Sequence, residues 1–317
     1  MLAKRPLGRT GLSISPLVFG GNVFGWTADT RTSFDLLDRF VEAGFETVDT
    51  ADVYSNWNPG NTGGESESII GDWLHSRGCR DRMTLITKVG MQMAPDQKGL
   101  SAAWIARAVE DSLRRLRTDR IDVYLSHRPD PEVPHEETLG AYQKLMAAGK
   151  VRAIGASNYD AGQLRTALDV AAAQGLPRYE VLQPEYNLYD RNKFDGPLRD
   201  LAMAEGLGVI TYFSLARGFL SGKYQSEADL GQSARGGGIK AYLNERGFRI
   251  LQSLKDVAAQ HAAKPAEVAL AWLMARPGVT APIASATRLE QLESLIRAAS
   301  LELASGDLAA LDFASRD

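Results

Sequence analysis

The chain has 317 residues, 36 Lys and Arg against 39 Asp and Glu, and a net charge of −3. It therefore lacks the basic footprint that phosphate neutralisation demands, which argues against nucleic acid and acidic membranes as partners. Its one cysteine, Cys79 in "SRGCRDR", rules out an internal disulfide framework.

The opening "MLAKRPLGRTG" has no apolar signal core, and no run of eighteen apolar residues occurs, so a soluble cytoplasmic protein is expected. In "PLGRTGLSIS" a turn at Gly11 joins two alternating segments, which reads as a hairpin. Eight short apolar runs follow as candidate strands: 15–21, 46–51, 83–89, 121–127, 151–158, 181–187, 208–214 and 281–285. Helical patterns lie between them. "TSFDLLDRFVEAG" opens on Thr32 as a cap and closes at Gly44, and "SAAWIARAVEDSLRRL" starts from Ser101. "EETLGAYQKLMAAGK" and "PAEVALAWLMARPG" carry the same spacing, and "SGDLAALDFAS" reads as an extra terminal helix. The long stretch 215–241 reads as an irregular loop. Eight strand-helix alternations imply parallel β-structure, and the expected fold is a single α/β domain over 1–317, a (β/α)₈ barrel with the hairpin across its floor.

In such barrels chemistry sits at the C-terminal ends of the strands. Asp49 ends the second run and Tyr54 follows it in "VDTADVYSN"; Lys88 in "LITKVG" ends the third, and His127 in "YLSHRPD" ends the fourth. Each alone has an ordinary reading as a turn cap, a solvated amine or a structural imidazole. Together on three consecutive strand ends they suit proton delivery to a carbonyl oxygen. A phenol keeps its proton at neutral pH, where a carboxylic acid would have lost it, and an ammonium beside it favours phenolate. Asp49 can hold that ammonium, while His127 offers a donor to the same oxygen.

With "DTADVY", "TKVG", "SHRPD", "GASN", "LQPEYN" and "YFSLARGFLSGKY" in this order, the sequence resembles the aldo-keto reductase superfamily over essentially its whole length. The resemblance implies an NAD(P)H-dependent barrel oxidoreductase that reduces aldehydes or ketones, with Asp49, Tyr54, Lys88 and His127 as a tetrad and Tyr54 as the acid. It assigns Gly20, Gly21 and Asn22 to a backbone-contact segment, and Ser157, Asn158 and Gln183 to the nicotinamide carboxamide. Tyr212 would stack under the ring. Ser214, Leu215, Arg217, Gly218, Leu220 and Lys223 match the pyrophosphate loop, and Ser285, Thr287, Arg288 and Gln291 the adenosine segment. A Ser/Thr cluster with an Arg at a helix start is also in its own right a phosphate cradle, which favours NADPH over NADH. Arg235 is the second candidate for the 2′-phosphate. Ser294 and Leu295 stand where the family usually has Glu and Asn, and Ser285 replaces a frequent Gly.

Trp26, Trp57 and Arg128 are the substrate candidates. Aromatic loop residues over a barrel mouth suit a flat or apolar carbonyl or a sugar face, or else they pack the loop down. Two rivals are a nucleotide-sensing regulatory subunit of the same fold and a metal-dependent barrel; four histidines are few for the latter.

Overall fold

The computed structural model describes residues 3–234 and 236–316, so Arg235 lies outside the described residues. Strands β1 (Arg5–Pro6) and β2 (Ser13–Ile14) pair antiparallel as the hairpin. The staves are β3 (Val18–Gly20), β4 (Thr47–Asp49), β5 (Thr84–Val89), β6 (Ile121–Ser126), β7 (Val151–Ser157), β8 (Val181–Gln183), β9 (Gly208–Thr211) and β10 (Ala281–Ala284). They close into a parallel barrel in the order β10-β3-β4-β5-β6-β7-β8-β9. Every expected run contains a stave. Several are shorter than expected: β8 stops at Gln183, since Pro184 has no N–H to continue a ladder.

Around them lie α1 (Thr30–Glu42), α2 (Glu65–Arg77), α3 (Ala102–Leu116), α4 (His135–Ala147), α5 (Ala161–Gln174), α6 (Pro197–Ala204), α7 (Glu245–Gln260), α8 (Pro265–Ala275), α9 (Leu289–Ala298) and α10 (Ser305–Ala314). The cap of α1 differs from expectation. Asp29, not Thr32, ends the chain's extended approach, and its carboxylate accepts from the Thr32 N–H at 2.8 Å. A charged acceptor at a helix N-terminus also opposes the macrodipole favourably. Ser101 caps α3 as expected, accepting from the Trp104 N–H at 3.3 Å. Within the irregular stretch 215–241 lie short 3₁₀ turns at Ala216–Ser221, Glu227–Gln232 and Gly236–Tyr242, the first broken by left-handed Arg217 and Gly218.

Period-two alternation sorts the stave side chains between two cores. Val18, Ile86, Val123, Leu125, Ala153, Val181, Ile210, Ala281 and Ile283 fill the barrel, with Leu7 and Ile14 of the hairpin in the same cluster. Outward-facing Phe19, Val48, Leu85 and Tyr124 belong to the larger layer under the helices. Gly71 sets how closely two of those helices approach. A Cβ there would collide with the carbonyl oxygen of Arg115 and the backbone of Leu116, so α2 and α3 meet backbone to backbone. Gly71→Ala should therefore lower stability by about 1–3 kcal/mol despite the better helix propensity of Ala. A urea midpoint equal to or above wild type would overturn this packing account.

Candidate active site

Alternation also delivers the polar side chains. Two residues beyond the interior residues Ile86, Leu125, Val181, Ile210 and Ile283 stand Lys88, His127, Gln183, Tyr212 and Ser285, all at the C-terminal mouth. Lys88 is fully buried, and its ammonium donates to Asp49 Oδ2 at 2.7 Å, to the Thr50 carbonyl at 2.7 Å and to the Tyr54 hydroxyl at 2.9 Å. All three of its protons are thus spent. Burial pulls the Lys88 ammonium below its ordinary pKa, and the Asp49 charge opposes that pull. The Tyr54 hydroxyl lies 3.4 Å from Asp49 Oδ2, while the other Asp49 oxygen accepts from the Gln183 amide at 2.8 Å.

His127 is half-buried and presents its ring to Tyr54, with centroids 6.0 Å apart. Burial, then the positive charges of Lys88 and Arg128, hold it well below the ordinary imidazole pKa. It is therefore neutral at physiological pH. Its Nδ1 has no partner among the described residues. Its carbonyl accepts from the Asn158 amide at 2.8 Å, and the Tyr212 hydroxyl donates to Asn158 Oδ1 at 2.6 Å. Asn158 holds a left-handed φ of 62° to make both contacts. Ser157 Oγ donates to the Gln183 carbonyl at 2.9 Å.

Beyond β9 the backbone turns through Phe213, Ala216, Arg217 and Gly218 with φ of 50°, 47°, 59° and 107°. Such consecutive left-handed positions make concavities that suit anions. The Arg217 guanidinium covers the Phe213 ring at 4.1 Å, and the Lys223 ammonium sits 4.9 Å from the Tyr224 ring. Ser214 is buried and Leu215 half-buried. Leu220 faces the core, so only its backbone is left for a ligand. Across the mouth Ser285 Oγ donates to Asn22 Oδ1 at 2.6 Å; Gly20 lies so close that a Cβ would fall 2.5 Å from Ser285 Oγ. Gly21 is fixed by Ser66, whose hydroxyl donates to its carbonyl at 2.8 Å. Gln291 accepts from Thr287 N–H at 2.8 Å and its hydroxyl at 3.1 Å, tying down the start of α9. Arg288, just before α9, is exposed and makes no ion pair among the described residues. Trp26 meets Trp57 at 5.6 Å and Tyr54 meets Trp57 at 5.9 Å, both edge to face. Asn61 laces those two loops together, donating to the carbonyls of Gly25 at 2.9 Å and Ser55 at 3.0 Å. Arg128 is exposed beside His127.

The family model of the aldo/keto reductase family matches residues 16–316, nearly the whole chain and all eight staves. The chain belongs to the aldo/keto reductase family. Among similar proteins of this family is one from Bacillus subtilis (strain 168) named "Uncharacterized oxidoreductase YrpG", 34% identical over 304 residues, covering 94% of this chain and 91% of that one. "Aldo-keto reductase YhdN" of the same organism is 32% identical over 290 residues, covering 90% and 83%. A protein of Oryza sativa subsp. japonica named "Probable voltage-gated potassium channel subunit beta" is 33% identical over 303 residues, covering 92% and 89%.

In this aldo/keto reductase two departures from the pattern have structural partners. Ser294 donates to the buried Glu267 at 2.6 Å, and Leu295 is packed in the core. Sequence reasoning missed a second polar set behind Lys88. Glu67 on α2 is fully buried, accepting from Thr87 at 2.5 Å and from Arg115 of α3 at 2.7 Å; Asp52, also fully buried, has no partner for either carboxyl oxygen among the described residues. Both acids lie in stretches already conspicuous for Tyr54, yet neither spacing nor composition marks an acid as buried. Among the described residues no helix is long and apolar enough to cross a membrane.

Proposed function

We propose that this protein is an NADPH-dependent reductase of small aldehyde or ketone substrates, carried on one barrel domain and acting reversibly in the cytoplasm. The observation that carries the reading is the fully buried Lys88, which joins Asp49 to the Tyr54 hydroxyl 2.9 Å away at the barrel mouth, beside a neutral His127. When bound, the nicotinamide supplies a hydride to the carbonyl carbon. Held neutral, His127 has no imidazolium proton to give, so it orients the carbonyl oxygen and Tyr54 transfers its phenolic proton to it. Lys88 stabilises the phenolate left behind, and Asp49 keeps the ammonium in place. The left-handed backbone run and the cations at 217, 223 and 288 are of the right chemistry for a dinucleotide's phosphates. Trp26, Trp57 and Arg128 flank the place a carbonyl would take, and the single buried cysteine suits a reducing compartment.

Loss of NADPH absorbance with a panel of aldehydes and ketones tests the reading. The rice relative, named as a probable channel subunit, favours a second one, a regulatory subunit of the same fold, which we take as sensing nucleotide. Tight NADPH binding with no turnover across the panel would select it.

Cofactor choice has its own test. If Arg288 meets the 2′-phosphate, its truncation removes a charge-assisted contact of about 1.5–3 kcal/mol. Arg288→Ala should raise the Kd for NADPH by roughly tenfold or more, leave that for NADH within about twofold, and make NADPH binding less sensitive to salt. Lys223→Ala should weaken both cofactors, since both carry the pyrophosphate. Equal weakening by Arg288→Ala in a tryptophan-fluorescence titration would remove Arg288 from the 2′-phosphate site.

A further inference from the structure

Asp52 sits in the turn between Asp49 and Tyr54, and its N–H donates to the Lys88 carbonyl at 3.3 Å. Its carboxyl points away from solvent, into the layer closed by α2 and α3, with no hydrogen-bond partner among the described residues. Five ionisable groups face each other across this wall of the barrel. Asp49 pairs with Lys88, and Glu67 with Arg115, which leaves Asp52 as a third carboxyl against two cations. An ionised Asp52 would be an uncompensated buried charge, and burying one is among the most costly things a fold can do. A protonated Asp52 leaves the set electrically balanced.

We propose that Asp52 is a positioning residue that works as a neutral carboxylic acid: it fills the turn carrying Tyr54 while leaving Asp49 the one buried anion in contact with Lys88. The groups facing it are Glu67 of α2, Arg115 of α3, Lys88 of β5, Tyr124 of β6 and Tyr142 of α4. Burial first, then the Glu67 charge, push the Asp52 carboxyl well above the ordinary carboxylate range, against the weaker pull of Arg115, the Val53 backbone N–H and Lys88. Tyr124 is likewise buried, with a hydroxyl that has no partner among the described residues, and burial holds it neutral, so it brings no charge to the set. The consequence for the reaction proposed above, on which this inference rests for its kinetic part, is that the Lys88 charge acts on Tyr54 without the Asp52 carboxylate as a further, unpaired anion behind it.

A group whose folded pKa is raised destabilises the protein as pH rises. The penalty is absent below the unfolded value, about 3.9, and grows as pH climbs toward the folded one. Asp52→Asn keeps the shape and fixes the charge at zero, and any cost of burying the amide is the same at every pH. Urea unfolding of the full chain and of Asp52→Asn between about pH 4 and pH 8 reads the difference. The variant's unfolding constant should fall relative to wild type by about tenfold or more across that range, a tenfold change corresponding to one unit of pKa displacement. A ratio that is flat with pH, or that moves the other way, overturns the proposal. Should Asp52→Asn fail to fold, Glu67→Gln serves: with that anion gone Asp52 ionises against Arg115, and the pH slope of the variant's own unfolding curve should be flatter than that of wild type. An unchanged or steeper slope overturns the proposal. The kinetic arm is alcohol oxidation against pH. If Asp52 is already neutral, Asp52→Asn leaves the limb that reports Tyr54 phenolate within about half a pH unit of wild type; a larger shift to lower pH means a charge was removed and overturns the proposal. The unfolding arm needs no turnover, so its failure is distinct from failure of the functional reading.

Discussion

Tyr54→Phe should slow carbonyl reduction by about 10²–10⁴-fold, the span that a positioned general acid contributes. The change removes one hydroxyl. The ring remains to pack edge to face on Trp57 and His127, so the mouth keeps its shape. Lys88 loses one of three acceptors but keeps Asp49 and the Thr50 carbonyl, and so stays charged and in place. NADPH affinity should therefore change by less than about twofold, and the loss should fall on kcat and kcat/KM together, the pattern of an interaction made only in the transition state. A variant retaining a tenth or more of the wild-type rate, a barrier change of about 1.4 kcal/mol or less, would rule out Tyr54 as the acid.

Lys88→Met should do more damage, of two separable kinds. The first is to the fold: Asp49, nearly solvent-free, would keep only the Gln183 amide at 2.8 Å as a close side-chain donor, apart from the longer Tyr54 contact. Breaking a buried pair on one side costs about 3–5 kcal/mol. The double change Asp49→Asn with Lys88→Met removes the orphaned charge and should recover most of that stability. The second is to the chemistry, and the double variant should not recover it. Without the ammonium 2.9 Å from its oxygen, Tyr54 reaches phenolate only at higher pH, so alcohol oxidation should suffer more near neutrality than at alkaline pH. Equal loss at all pH values, reversed by the double variant, would make Lys88 a structural partner of Asp49 and nothing more.

The polar mouth was legible because stave positions obey a period of two and barrel chemistry gathers at one end. Once Ile86 and Leu125 read as interior, Lys88 and His127 follow on the same faces. What escaped depended on chain segments far apart in sequence. An acid between Ala51 and Val53 in a turn reads as solvated; only the closure of α2 and α3 over that turn, made possible by Gly71, buries Asp52. Gln183 was assigned to a ligand, yet its amide also meets Asp49, 134 residues away. Leu220, read as part of a phosphate loop, has its side chain in the core because the 3₁₀ turn at Ala216–Ser221 rotates it inward. For α1 both Asp29 and Thr32 had capping chemistry, and where the chain leaves its extended approach decided between them.

The hairpin has a bearing on kinetic order. Leu7 and Ile14 fill the floor among the interior residues of the staves, and Gly8 presses so closely on Glu180 and Gly208 that a Cβ would not fit between them. Among the described residues the barrel is thus packed within and closed at the floor, and its C-terminal mouth is the end left for ligands. Ligands that share such a mouth form a stack: whichever settles deeper enters first and leaves last, and the one above must come and go while the lower stays. For the two ligands proposed above, the expected result is therefore ordered traffic, with the deeper ligand the last to leave.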